Sequence, residues 1–97
     1  MNKMIMIAYN EAIDDEVMEM LDLCGLKSYT KLTKIYGKGN TSGTHLGNDI
    51  WPGLNNVLYI VCKDNDAKRL IEEIRAARTT LGKEGVKAFV MPVEEIA

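Results

Sequence analysis

The chain has 97 residues, of which 46% are hydrophobic and 27% are charged, and its formal net charge is -2. This length suits a single domain spanning residues 1–97 and is too short for two domains. The slight acidity gives no electrostatic basis for binding nucleic acid or an anionic membrane. No apolar run has the length of a membrane span or a cleaved signal peptide. We therefore expect a cytoplasmic protein with no nucleic-acid partner and no membrane insertion.

The amino-terminal part predicts a strand, a helix and a second strand. Lys3–Tyr9 is almost wholly apolar, which is typical of a central strand covered on both faces. From Ile13 onward apolar residues recur at helical spacing, and residues 14–16 are all acidic, which indicates helix-end electrostatics rather than an acid/base pair. Gly25 suits the left-handed position that ends a helix. Leu26–Tyr36 combines β-forming residues with lysines, which favours a solvated edge strand over a basic binding patch.

The carboxy-terminal part predicts a strand, a helix and a last strand. Asn56–Cys62 is a second apolar run and therefore a second central strand. Asp64–Asp66 offers helix caps and precedes an apolar stripe at helical spacing. Thr79–Gly85 reads as a glycine-bearing loop, and Val86–Val93 as a strand that Pro92 restricts to an edge or a strand end.

The order of these elements predicts an α+β fold of the ferredoxin-like βαββαβ type. This is a sandwich with a four-stranded antiparallel sheet, both helices on one face, and the two apolar strands adjacent in the centre. Because those strands are apolar on both sides, the face without helices also needs a cover, and another copy of the chain is the available candidate. We therefore expect a homo-oligomer. Cys24 and Cys62 lack the pattern of a disulfide framework or a zinc site and are expected to be small buried hydrophobic residues.

Residues 37–56 form the most unusual stretch and are predicted to be a long flexible loop. They contain five of the eight glycines, the only histidine and the only tryptophan. Loops of this length in compact domains are usually binding loops, lids or disordered segments. His45 and Asp49 are weak candidates for a metal site, since a lone histidine gives at most one good transition-metal ligand per chain. Trp51 is expected to be a packing anchor.

Three short motifs resemble the nitrogen-regulatory PII signal-transduction family. Thr33–Gly39 resembles the base of that family's large loop, Phe89–Glu94 its last strand, and Ile13–Asp15 the start of its first helix. The resemblance implies a homotrimer whose inter-subunit clefts bind small effectors, often adenine nucleotides. It also implies that the large loop contacts target proteins such as enzymes, regulators or transporters.

The resemblance also implies a set of ligand-binding residues at the bases of two loops. These are Gly37, Lys38, Gly39 and Thr41 of one chain, with Gly85 and Lys87 of another. Glycine backbones can approach a phosphate closely, and a lysine offers it a point charge. Alternatively, Lys87 is an ordinary lysine that protects an edge strand.

The sequence departs from the family pattern at several of these positions. Asn40-Thr41 stands where the family usually has arginine and glutamine, and Glu84 adds a negative charge to the second loop. Residues 1–97 contain no counterpart of the family's phosphate-binding carboxy-terminal arginines, so we expect modest affinity for a triphosphate. The large loop lacks the tyrosine and the arginine used by some members for nucleotidyl modification and for plugging ammonia channels, and neither route is expected.

Function is thus predicted to be regulatory rather than enzymatic. No nucleophile stands beside a base, and there is one histidine. The alternative is a trimeric metal-binding protein of the divalent-cation-tolerance type, in which a metal rather than a nucleotide is the signal. An RNA-recognition domain is disfavoured because the strands lack its set of exposed stacking aromatics.

Overall fold

The computed structural model describes residues 1–37, 54–81 and 85–97. In chain order, the helices and strands are β1 (Asn2–Asn10), a short 3-10 turn (Glu11–Ile13), α1 (Asp14–Leu23), β2 (Thr30–Tyr36), β3 (Leu54–Lys63), α2 (Asp64–Leu81) and β4 (Val86–Pro92). None of the helices in these ranges is both long and apolar enough to cross a membrane.

The four strands form one sheet in the order β2-β3-β1-β4. All three neighbouring pairs are antiparallel. The two apolar strands, β1 and β3, are therefore adjacent in the centre, and the lysine-bearing β2 and the proline-ended β4 lie at the edges. The predicted α+β ferredoxin-like βαββαβ sandwich is confirmed.

Both helices pack on the same face of the sheet, which we call the helix face. The strand side chains buried there alternate along their strands and are Ile5, Ile7, Tyr9, Leu58, Ile60, Cys62 and Val86. The helix side chains that meet them are Val17, Met20, Leu21 and Cys24 of α1 and Ala67, Leu70 and Ile74 of α2. The core is thus a single layer between sheet and helices, and the other side of the sheet, the open face, lies outside it.

The first helix ends as the sequence predicts. Gly25 has φ +70°, its N–H donates to Asp22 O at 3.0 Å, and the N–H of Leu26 donates to Leu21 O at 2.9 Å. These two bonds form a Schellman motif and satisfy carbonyls left unpaired at the helix end. Because residues 26–29 are used in leaving the helix, β2 begins at Thr30, four residues later than predicted.

Two other boundaries also differ from the predictions. Strand β3 begins at Leu54 because Asn55 pairs with Asn10 and Leu54 with Tyr36, which extends the ladder into the last three residues of the predicted loop. Helix α2 continues to Leu81, so the start of the predicted second loop is helical. Its last turns contain no glycine or proline that would stop it, and the Thr79 hydroxyl donates to Ala76 O at 2.7 Å.

Candidate ligand-binding end of the sheet

The two glycine-bearing loops leave the sheet at the same end, which we call the loop end. The end of β1 pairs with the start of β3 through Asn10 and Asn55, and with the start of β4 through Tyr9 and Val86. The N–H of Asn10 also donates to Gly85 O at 2.9 Å. Gly37, directly after β2, and Gly85, directly before β4, therefore lie at the same end of the sheet.

Gly37 follows β2 at this end and lies close to the neighbouring strand. A Cβ atom added to Gly37 would lie 3.1 Å from Asn55 Nδ2. Such a distance is tighter than ordinary van der Waals contact, so the absence of a side chain at position 37 allows the Asn55 amide to pack there. The glycine thus has a structural role within the chain, independent of any ligand.

Lys87 is exposed and lies on the open face. Its register partner is Ala8 of β1, whose neighbours in sequence point to the helix face. Gly37 and Lys87 belong to opposite edges of the sheet, three strand spacings apart, which is about 14 Å. One copy of the chain therefore does not bring Gly37 and Lys87 together around a single phosphate.

A β-bulge shapes the strand that leads into the large loop. The register with β3 shifts by one residue between Leu32 and Ile35, and Lys34 has φ 57°. The extra residue places Leu32 and Ile35 on the same face, opposite Val57 and Asn55. The bulge therefore adds an apolar side chain to the open face at a backbone position that is strained for lysine.

The open face is apolar across the sheet. Its exposed large hydrophobic side chains, each between 37% and 47% accessible, are Leu32, Ile35, Val61, Phe89 and Met91. Met4 and Met6 of β1 lie half-buried between them. A contiguous apolar sheet face of this kind typically marks a surface of association.

A polar cluster on the helix face was not predicted from the sequence. It centres on Asp14 Oδ1, which accepts hydrogen bonds from the Tyr9 hydroxyl at 2.5 Å and from Asn56 Nδ2 at 3.2 Å. The Lys31 Nζ atom lies 2.6 Å from the same oxygen. The four side chains come from β1, α1, β2 and β3, so one carboxylate oxygen connects all four elements. We call these residues the Asp14 cluster.

The electrostatics of the Asp14 cluster favour an ionised carboxylate. Burial opposes ionisation, but the hydrogen bonds from Lys31, Tyr9 and Asn56 outweigh it and hold the pKa of Asp14 below its ordinary value of 3.8. Burial, followed by the hydrogen bond to Asp14, raises the pKa of the Tyr9 phenol well above its ordinary value. The interpretation of Lys31 as a solvated edge lysine is wrong, because its side chain is largely covered and paired with Asp14.

Asn56 is the buried polar member of the cluster and is only 5% exposed. Its Nδ2 donates to Asp14, whereas its Oδ1 is buried and accepts no hydrogen bond from the described residues. Two sequence features pointed to the cluster. Asn56 is a polar residue at the start of an apolar run, and Lys31 lies in a strand next to one that was predicted to be central.

Many of the residues that were predicted to bind the ligand or a metal fall outside the described residues. Lys38, Gly39, Thr41, His45 and Asp49 all lie there. Within residues 1–37, 54–81 and 85–97, no three potential metal ligands come together.

Both cysteines are buried in the core, as expected, and both are unbonded thiols. Burial raises the pKa of Cys24 and of Cys62, which disfavours the reactive thiolate.

The described chain thus defines a class of protein: a ferredoxin-like domain with an apolar open sheet face and two loops at one end of the sheet. The family profile described as nitrogen regulatory protein P-II matches residues 2–97. The chain belongs to this family, and the family resemblance predicted from its motifs is confirmed.

Solved structures of PII-like proteins share the fold. One is CPII from Thiomonas intermedia K12, a nitrogen regulatory PII-like protein bound to ADP, AMP and bicarbonate, with 18% identity and a TM-score of 0.72 over 95% of this chain and 89% of that one. Another is a putative PII-like signaling protein from Thermus thermophilus, with 20% identity and a TM-score of 0.68 over 95% of this chain and 85% of that one. At these identities the likeness establishes the fold. Comparison with curated protein sequences gives no significant match.

Proposed function

We propose that this protein is a trimeric PII-like regulator that binds an adenine nucleotide between subunits and contacts a target protein through its large loop. The observation that carries the proposal is the apolar open face, joined at its edge by the exposed Lys87. Burying that face against other copies removes apolar surface from water. It also brings the sheet edge of one subunit close to the loop end of another subunit, which supports a ligand site shared between chains.

The ligand chemistry rests on family membership and on the similar structures. The CPII protein is described with ADP and AMP bound, and in one structure with ADP and bicarbonate. For this chain we propose that Gly37, Lys38, Gly39 and Thr41 of one subunit, with Gly85 and Lys87 of the next, contact the nucleotide. Lys87 would give a phosphate a point charge. We expect a regulator rather than an enzyme, and its cytoplasmic location stays a prediction.

Light scattering and calorimetry test the proposal together. The parent protein should behave as a trimer at micromolar concentration and bind ADP or AMP, with bicarbonate tested as an additional ligand. Lys87→Ala should weaken ADP binding while leaving the trimer and its melting temperature unchanged. A stable monomer, or equal ADP binding by the parent and Lys87→Ala, would contradict the assignment.

A matched pair of variants tests the surface of association. Phe89→Asp places a charge on the open face and should dissociate the trimer, because a carboxylate is costly to bury in an apolar interface. Leu23→Asp makes the same change at a side chain that is 65% exposed on α1, away from the sheet, and should leave the trimer intact.

A further inference from the structure

We propose that Asp14 is a positioning residue for the ligand site, because it fixes the two strands that carry the large loop. Lys31 belongs to β2, which leads into the loop, and Asn56 belongs to β3, which leads out of it. Both donate to Asp14 Oδ1, at 2.6 Å and 3.2 Å respectively. This role rests on the proposed function and extends it, because it names the residue that holds the strands leading into and out of the large loop.

Strand β2 has few other attachments. As an edge strand it pairs only with β3, and that ladder is interrupted by the bulge between Leu32 and Ile35. Most of its side chains are exposed, and Lys31 is the residue of β2 with intermediate burial. The ion pair with Asp14 therefore attaches β2 to α1 just before the bulge, independently of the ladder.

The attachment of β3 is different in kind. Asn56 is buried, and Tyr9, its register partner on β1, donates to the same carboxylate oxygen at 2.5 Å. Removing the negative charge from Asp14 leaves Lys31 as a half-buried cation without its counter-ion and weakens three charge-assisted hydrogen bonds at once. The effect should be concentrated in β2 and in the first residues of β3, the strands that lead into and out of the loop.

Asp14→Asn tests this role, with Asp15→Asn as its matched control. Asp15 is exposed in the same helical turn, so both variants lose one negative charge at the start of α1. Of the two, Asp14 is the one bonded to strand residues in the described part of the chain. The readouts are calorimetric binding of ADP and hydrogen exchange of the amides of residues 31–36 and 54–57 in the ligand-free protein. Lys31→Met, with the exposed Lys27→Met as control, provides a second pair if Asp14→Asn fails to fold.

The proposal predicts that Asp14→Asn speeds exchange in both strand segments and weakens ADP binding by about 5-fold or more, with the oligomer unchanged. Asp15→Asn should change neither. A lower melting temperature with unchanged exchange and unchanged ADP affinity would show a merely structural residue and overturn the proposal. If the parent binds no ADP, the proposed function fails, and hydrogen exchange in Asp14→Asn alone decides the role of Asp14. Faster exchange in residues 31–36 and 54–57 then supports Asp14 as the residue that holds the two strands, and unchanged exchange overturns that role.

Discussion

Gly37, directly after β2, lies close to Asn55, the second residue of β3. A Cβ atom on Gly37 would lie 3.1 Å from Asn55 Nδ2. The contact gives Gly37 a role in packing in addition to the proposed role in ligand binding, and the two roles can be separated. Gly37→Ala should destabilise the protein by about 1 kcal/mol, because the Asn55 amide must shift. The free energy of unfolding from urea denaturation measures this cost.

A second substitution separates packing from ligand contact. In an Asn55→Ala background, Gly37→Ala should no longer destabilise the protein, but it should still weaken ADP binding relative to Asn55→Ala alone. If Gly37→Ala has no effect on ADP affinity in that background, Gly37 serves packing only.

Acid stability should depend on Asp14. Because its pKa in the folded protein is lowered below 3.8, its ionised form stabilises the fold above that value, and the contribution is lost as pH falls through the folded pKa. The difference in unfolding free energy between the parent and Asp14→Asn should therefore be largest near about pH 5 to 7 and shrink toward about pH 2. Urea titrations across this range measure it, and a difference independent of pH would contradict the assignment.

The bulge in β2 predicts opposite responses at neighbouring positions. Lys34 has φ 57°, where glycine avoids the strain felt by a residue with a Cβ atom. Lys34→Gly should therefore leave the melting temperature unchanged or slightly raised. Thr33→Gly, which gains no such relief, should destabilise by about 0.5–1 kcal/mol. Thermal unfolding checks both, and equal losses would show that Lys34 is not strained.

The two thiols should be protected in the folded protein. Cys24 and Cys62 are 4% and 9% exposed, and burial raises the pKa of each. Labelling with a disulfide reagent at neutral pH should be slow and should become fast in denaturant. Rapid native labelling of either cysteine would mean that the helix layer opens readily.

The hydrophobic pattern predicted the fold well because local and global preferences agree in this chain. The apolar runs of β1 and β3 identified the central strands, and Gly25 identified the end of α1. The polar contacts were less accessible to sequence reasoning. Lys31 and Asp14 are far apart in the sequence, and their pairing depends on strand order and on the packing of α1 against the sheet.

The candidate site was predictable only in part for a related reason. Gly85 and Lys87 were placed correctly near a strand start, and Gly37 at a strand end, because each follows from element boundaries. The packing of Asn55 against Gly37 depends on the exact register of β2 and β3, which a bulge shifts by one residue. Sequence periodicity carries no information about that shift.

The central claim is that the ligand site combines the loop base of one subunit with Lys87 of another. Gly37→Asp and Lys87→Ala each damage one half of such a site, and trimers containing both chains can be purified after co-expression with two different tags. In any cyclic trimer of mixed composition, about one of the three clefts then pairs an undamaged Gly37 with an undamaged Lys87. Calorimetry should find about one parent-like ADP site per mixed trimer, against about three for the parent. Mixed trimers that bind no more ADP than trimers of either variant alone would contradict a site shared between subunits.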